Sequence, residues 1–211
     1  MNDVAAAASL QELQPSISNT MSYQEFYDLV EQLADESKTS GPVQSEALIF
    51  YTGLNRQRMK RINKQFKLRD DLATLAAAIK KPQQWYVLAE AWCGDVPANL
   101  PVLAAVAEAS ENIEFKVVLR DENLNLMNRF LTNGGMSIPK LAAFDTESGD
   151  PVLSWGPRPR PAQKLVTDYK AMPKEEREPY LEFVQKVQKW YIEDKWETIQ
   201  DELMELLKPF T

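Results

Sequence analysis

Residues Trp85–Pro101, WYVLAEAWCGDVPANLP, constrain this chain more than any other stretch, because a buried strand turns there into a helix at the chain's one cysteine. Trp85–Trp92 is a short apolar and aromatic run, the composition of a core strand. Cys93-Gly94-Asp95 reads as a turn. Val96–Ser110 reads as a helix, with Pro97 and Pro101 near its start and an alanine-rich body. A thiol at that junction faces unpaired backbone N–H groups and the positive end of the helix dipole, and both favour thiolate. Asp95 opposes them, since a carboxylate two residues away disfavours a second negative charge. The sign of the net shift on Cys93 is therefore open. Glu90, on the strand, either adds to that repulsion or handles protons.

Composition narrows the chemistry. The 211 residues suit one domain with additions or two small ones. Histidine is absent, which removes Ser-His and Cys-His nucleophile pairs. One cysteine and no histidine cannot furnish the usual zinc ligand sets, and no spacing asks for a carboxylate metal site, so no metal or cofactor is expected. A single cysteine also rules out an internal disulfide and makes the cytosol the default compartment. The net charge of −7 argues against whole-surface attraction to nucleic acid or anionic membrane. No apolar run reaches the ~20 residues of a membrane span, and the start, MNDVAAAASLQELQ, does not read as a secretory signal.

Along the chain, residues 1–20 are polar and alanine-rich without a persistent period, and disorder is expected there. Residues 21–81 read as a helical extension. Ser22 and Glu25 fit a capping box ahead of a helix, a second helix spans about 43–66, and a third 70–81. The second carries a basic run, Arg56 to Arg69. That run is either an RNA- or phosphate-binding face or, as favoured here, a solvated face paired with the acidic remainder. After the cysteine helix come a strand at Ile113–Leu119, a short helix at Leu124–Leu131 and the stretch Met136–Phe144, in which Ile138-Pro139 precedes an apolar strand. A turn at 146–150 and a returning strand at Pro151–Trp155 follow, then a helix at Pro161–Lys170. Residues 172–211 form a C-terminal helical extension. Its apolar stripe of Tyr180, Val184, Val187, Tyr191, Ile199, Leu203 and Leu206 reads as one or two helices packed on the domain, with a dimer or partner surface as the sharper alternative.

Trp92-Cys93-Gly94-Asp95-Val96 resembles the Trp-Cys-Gly-Pro-Cys active site of the thioredoxin superfamily. With Ala89 and Glu90 it is closer to a bacterial subgroup carrying Ala-Glu-x-Trp-Cys-Gly-Asp. Leu54-Asn55, Arg58-Met59 and Arg61, and Trp155-Gly156-Pro157-Arg158-Pro159, also look like segments of that subgroup. The resemblance spans about residues 84–170. It implies a thioredoxin-like α/β fold over 82–171, a central mixed sheet flanked by helices. It implies a cis proline at Pro139 and a substrate groove between Cys93 and Ile138-Pro139. The subgroup's second cysteine falls on Val96, and the superfamily's buried proton-handling acid on Val87.

Those departures decide the chemistry. In dithiol exchange the first cysteine attacks a substrate disulfide, and the second resolves the mixed disulfide. Cys93 can take the first step, and Val96 cannot take the second. Two readings lead. One is monothiol exchange, with glutathione or another small thiol resolving the mixed disulfide at Cys93. The other is a non-catalytic module that binds a protein or peptide client, with Cys93 an inert inherited thiol. Nucleic-acid binding through residues 56–69 trails both, and homodimerisation through the C-terminal helices is a further expectation.

Overall fold

Strand β1, Gln83–Ala89, is buried at all seven positions, as a central strand covered on both faces must be. The structure, a computed structural model, describes residues 8–211. Leading into β1 are α1 (Leu10–Leu13), α2 (Tyr23–Asp35), α3 (Glu46–Gln65) and α4 (Asp70–Ala77). After it come α5 (Val96–Glu108), β2 (Ile113–Leu119), α6 (Leu124–Met127), β3 (Lys140–Asp145) and β4 (Pro151–Trp155), then α7 (Arg160–Ala171), α8 (Tyr180–Asp194) and α9 (Glu197–Leu207).

The sheet order is β2-β1-β3-β4. β1 and β2 run parallel, with Val87 opposite Val117, and α5 is their crossover. β3 runs antiparallel to β1, with Leu141 opposite Val87, and β4 returns antiparallel to β3 after a tight turn. This is the expected thioredoxin-like arrangement. Ile138-Pro139 is cis, as is Gly156-Pro157. Gly156 sits at φ +109°, and a Cβ there would fall 2.3 Å from the Pro139 carbonyl oxygen, so only glycine lets these two loops meet.

Helix α5 is buried at ten of its thirteen residues, so it has no solvent face, and helices must cover what the sheet does not. Helix α3 packs on α2 and α5, and α9 on α4 and α5. Helix α8 pairs with α7 and rests on a small apolar cluster separate from the main core, made of Ala98, Val166, Phe183, Val187 and Tyr191. The C-terminal stripe is thus two helices, divided at Lys195 and Trp196, both at positive φ.

Most element bounds follow the sequence reading, and β2 and β4 coincide with it. The Ser22–Glu25 capping box is present. Two expectations change. Leu10–Ser16 is helical, because Leu10 and Leu13 are buried in the main core and the Leu10 N–H donates to the Gly149 carbonyl at 2.7 Å. Residues 1–7 of the stretch expected to be disordered lie outside the described residues. The helix over 124–131 stops at Met127, and a turn closed between Thr132 and Gly135 occupies the approach to β3. Met21 exchanges two backbone hydrogen bonds with Val117 and so covers part of the β2 edge.

Candidate functional site

The Cys93-Gly94-Asp95 turn lies where β1 hands over to α5, and four distant segments close on it. From the β3 side comes the cis-proline loop: the Cys93 thiol donates to the Ile138 carbonyl at 3.3 Å. From α3, the Asn55 amide donates to the Ala91 carbonyl at 2.9 Å, and Arg58 donates to Asn55 at 3.0 Å. From α8, Gln188 donates to the Gly94 carbonyl at 3.1 Å, and the Tyr191 hydroxyl donates to an Asp95 carboxylate oxygen at 2.9 Å. Asn99, one turn into α5, donates to both the Asp95 carbonyl and the Tyr191 oxygen. Arg158, from the loop before α7, makes an ion pair with Asp95 at 2.6 Å. Asp95 is buried, and two partners on its carboxylate are what keep a buried charge tolerable.

The thiol itself is 7% exposed. Burial pushes it up, and the neighbouring Asp95 carboxylate pushes the same way. The N–H groups of Asp95 and Val96 and the Arg158 cation pull down without prevailing, and the thiol settles at about 12. Desolvation wins over the helix terminus. Val96, in the second-cysteine position, is buried at the first turn of α5.

An open cavity of about 410 Å³ lies beside the thiol, between α3, α7 and α8. Trp92, Cys93, Gly94 and Asp95 form its floor, and Tyr51, Tyr169, Tyr180 and Phe183 are among its aromatic walls. Arg58, Arg158 and Lys170 supply its positive charge, beside the Asp95 carboxylate. Arg120 lies over the Trp92 ring, 4.9 Å from its centroid. Ile138 and Pro139 are both buried, so the accessible space lies beside Cys93 under α8 and not along the cis-proline loop.

The Glu90 carboxylate is fully buried, and it accepts hydrogen bonds from the Ser40 hydroxyl and the Asp121 N–H. Burial raises its pKa. Its bonds tie the loop after α2 to the end of β2. Gly41 must stay glycine beside it, with φ +82° and the Asp121 carboxylate 2.7 Å from where a Cβ would sit. Among the described residues no group of three or more His, Cys, Asp or Glu side chains could hold a metal, and no helix is long and apolar enough to cross a membrane.

A thioredoxin family model matches residues 41–170, more than half of the chain. The chain belongs to the thioredoxin family. Two solved structures share the fold at low identity. One is a Pseudomonas aeruginosa protein of unknown function, 16% identical, with TM-score 0.51 over 90% of this chain and 99% of the other. The other is an HIV epitope-scaffold, 15% identical, with TM-score 0.52 over 90% of this chain and all of the other. No curated protein matches.

Cys93 stands beside the cis Ile138-Pro139 bond, and the residue three further on is Val96. Trp92, Cys93, Gly94, Asp95, Ile138 and Pro139 converge; Glu90 reaches Ser40 and Asp121 instead. Sequence reasoning singled out the segments holding Asn55, Arg58 and Arg158 without placing them at the cysteine. Gln188 and Tyr191 were missed as site residues. Tyr191 stood in the C-terminal apolar stripe, but nothing local marked its hydroxyl as a partner for Asp95.

The basic run over residues 56–69 divides. Arg56 pairs with Asp35 at 2.5 Å, Arg69 pairs with Asp71, Glu197 and Asp201, and Arg58 turns in to the cavity. Lys60, Arg61, Lys64 and Lys67 are exposed and, among the described residues, take part in no ion pair.

Proposed function

We propose that this thioredoxin-family protein is a binding module whose single thiol stays protonated in the wall of its binding cavity. The observation behind it is the enclosure of Cys93: the thiol donates to the Ile138 carbonyl, α8 lies over the turn, and Val96 stands where a resolving thiol is needed. A thiol at about 12 is almost wholly uncharged at neutral pH, and the thiol form is a poor nucleophile. The occupant that suits the cavity is a segment of a protein or peptide client. One or two apolar side chains would fit among Tyr51, Tyr169 and Phe183, with a carboxylate near Arg58. A reducing cytosol suits a protein with one unpaired cysteine.

Alkylation of the native protein by iodoacetamide from pH 4 to 10 tests this reading. Cys93 is expected to label at least about a thousandfold more slowly than a free cysteine at pH 7.5, and to label readily only once the protein is unfolded. Fast labelling with an apparent pKa below about 7.5 would overturn it.

A second reading draws on one observation, the separate small cluster beneath α8. If α8 lifts, the Cys93 thiolate can attack a client disulfide, forming a mixed disulfide and releasing one client thiolate. Glutathione or another small thiol then attacks that bond, takes the client sulfur as a new disulfide partner and returns Cys93 as thiolate. A glutathione adduct on Cys93 after exposure of the folded protein to oxidised glutathione would favour this reading, and none is expected on the first.

A further inference from the structure

On the other side of the cis-proline loop from Cys93, Lys140 opens β3 as a buried cation. Its side chain faces a cleft of about 860 Å³ bounded by the turn after α6, β4, α7 and α9. The Lys140 ammonium makes two long hydrogen bonds, 3.3 Å to the Thr132 hydroxyl and 3.4 Å to the Gly156 carbonyl. The ion pairs of the cleft are Arg158 with Asp95, Arg160 with Glu202 and Glu205, and Lys164 with Asp168. Among the described residues neither Lys140 nor Arg129 takes part in one.

Arg158 adds a second, independent observation. Its guanidinium runs between the Cys93 cavity and this cleft, and its Nε is buried without a hydrogen-bond partner. A buried ammonium lacking a counter-ion and a buried guanidinium N–H lacking an acceptor are each costly, and native proteins seldom keep either without an ion or water to satisfy it. Both are donors on positive groups whose acceptors are distant, as at Lys140, or missing, as at the Arg158 Nε. They line one cleft, in a protein whose net charge is −7. The two carboxylates that face the cleft are already used. Glu202 accepts from the Trp155 ring N–H and the Arg160 backbone N–H, and Glu205 pairs with Arg160.

We propose that this cleft is a binding site for a small organic anion, whose phosphate or carboxylate group seats between Lys140 and Arg129 within reach of Arg158. The volume admits more than one oxyanion, and Phe130, Leu131 and Leu206 supply apolar wall for the body of the ligand. The site is separate from the Cys93 cavity, so it stands whether or not Cys93 is reactive.

Proton linkage gives the site a signature. Burial lowers the Lys140 ammonium to about 8. The charged groups around the cleft are Arg129, Arg158, Arg160 and Lys164, with Glu202 and Glu205. Arginines keep their charge in this range, and Glu202 and Glu205 form ion pairs with Arg160. A bound anion favours the charged form of Lys140, so binding takes up protons at and above pH 8 and weakens as pH rises further.

Inorganic pyrophosphate and citrate, titrated calorimetrically into the full-length protein at low salt, test the proposal and separate phosphate from carboxylate preference. Measurement at pH 8 in two buffers of different ionisation enthalpy should reveal uptake of up to about half a proton per anion bound. Lys140→Met, which keeps the length of the side chain, should weaken binding about tenfold or more and abolish the proton uptake. Arg129→Ala, at the exposed rim, should weaken it several-fold and leaves the buried wall intact. Saturable binding of either anion with these responses supports the site. Absence of saturable binding by both anions, or unchanged binding in Lys140→Met and Arg129→Ala, overturns it.

Discussion

Cys93 and Lys140 flank the same cis-proline loop and are buried to nearly the same degree, 7% and 8% exposed, yet burial leaves them in different positions. Each is driven toward its neutral form, the thiol up to about 12 and the ammonium down to about 8. Cys93 stays neutral until far above physiological pH and has a hydrogen-bond acceptor, so nothing about it calls for a further partner. Lys140 stays largely charged at pH 7 beside an open cleft, held by two long bonds. The same desolvation silences an acid and leaves a base in want of an anion. The helix terminus that favours a thiolate in an exposed turn is here outweighed, because burial removes the water on which ionisation depends.

The largest expected effect comes from removing that cover. Phe183→Ala with Val187→Ala hollows the small cluster under α8 without touching the main core. If α8 is what buries Cys93, the thiol should fall back toward ~8.5 and its alkylation rate at pH 8 should rise about a hundredfold or more. Lys140 should be indifferent, which keeps the two regions distinguishable. An unchanged rate would mean that the main core and the Ile138 carbonyl, not α8, hold the thiol shut.

Stability against pH separates the same pair by sign. The thiol has its folded value above its ordinary 9.0, so the folded state keeps that proton longer. Its contribution is full below pH 9 and is lost between about pH 9 and 12, by about 4 kcal/mol. The amine has its folded value below its ordinary 10.5, so the unfolded state holds more protons there. Stability should rise between about pH 8 and 10.5, by about 3 kcal/mol. Denaturant titrations at pH 8, 9.5 and 11 can read both. Cys93→Ser should remove the part of the alkaline fall that begins near pH 9, leaving the later part that the buried tyrosines contribute, and Lys140→Met should remove the rise. A Lys140→Met protein whose stability still climbs over that range would locate the effect in another group.

How far the sequence carried the site depends on the range of each signal. The Trp85–Trp92 run, the Cys-Gly-Asp turn and the proline-led start of α5 are local, and the strand and helix stand where their composition puts them. The cis bond at Ile138-Pro139 was legible only through the family resemblance, since a proline ahead of an apolar strand is more often trans. Tyr191 and Gln188 were not. They meet the Cys-Gly-Asp turn from more than ninety residues away, and an apolar stripe records that a helix docks without recording on what. The pKa of Cys93 was open in sequence for the same reason, since the helix terminus is local and the burial is not. Lys140 gave no signal, because a lysine at the head of an apolar strand reads as an exposed end. Leu10 and Leu13 were hidden by their polar and alanine-rich surroundings.

The smallest of these effects asks whether α8 is held by packing or by its hydrogen bonds. Tyr191→Phe keeps the ring in the apolar cluster and deletes one oxygen, which donates to Asp95 and accepts from Asn99. Asn99 still reaches the Asp95 carbonyl, and Asp95 still pairs with Arg158, so neither group is stranded. The expected loss is about 1–2 kcal/mol in equilibrium unfolding, the size of a hydrogen bond to a buried charged group. Because the ring remains, Cys93 alkylation should change by no more than a few-fold. An increase as large as that of the Phe183 and Val187 double variant would show that the Asp95–Tyr191 bond, not the apolar cluster, fastens α8 over the thiol. The opening that monothiol exchange requires would then hang on a single hydroxyl.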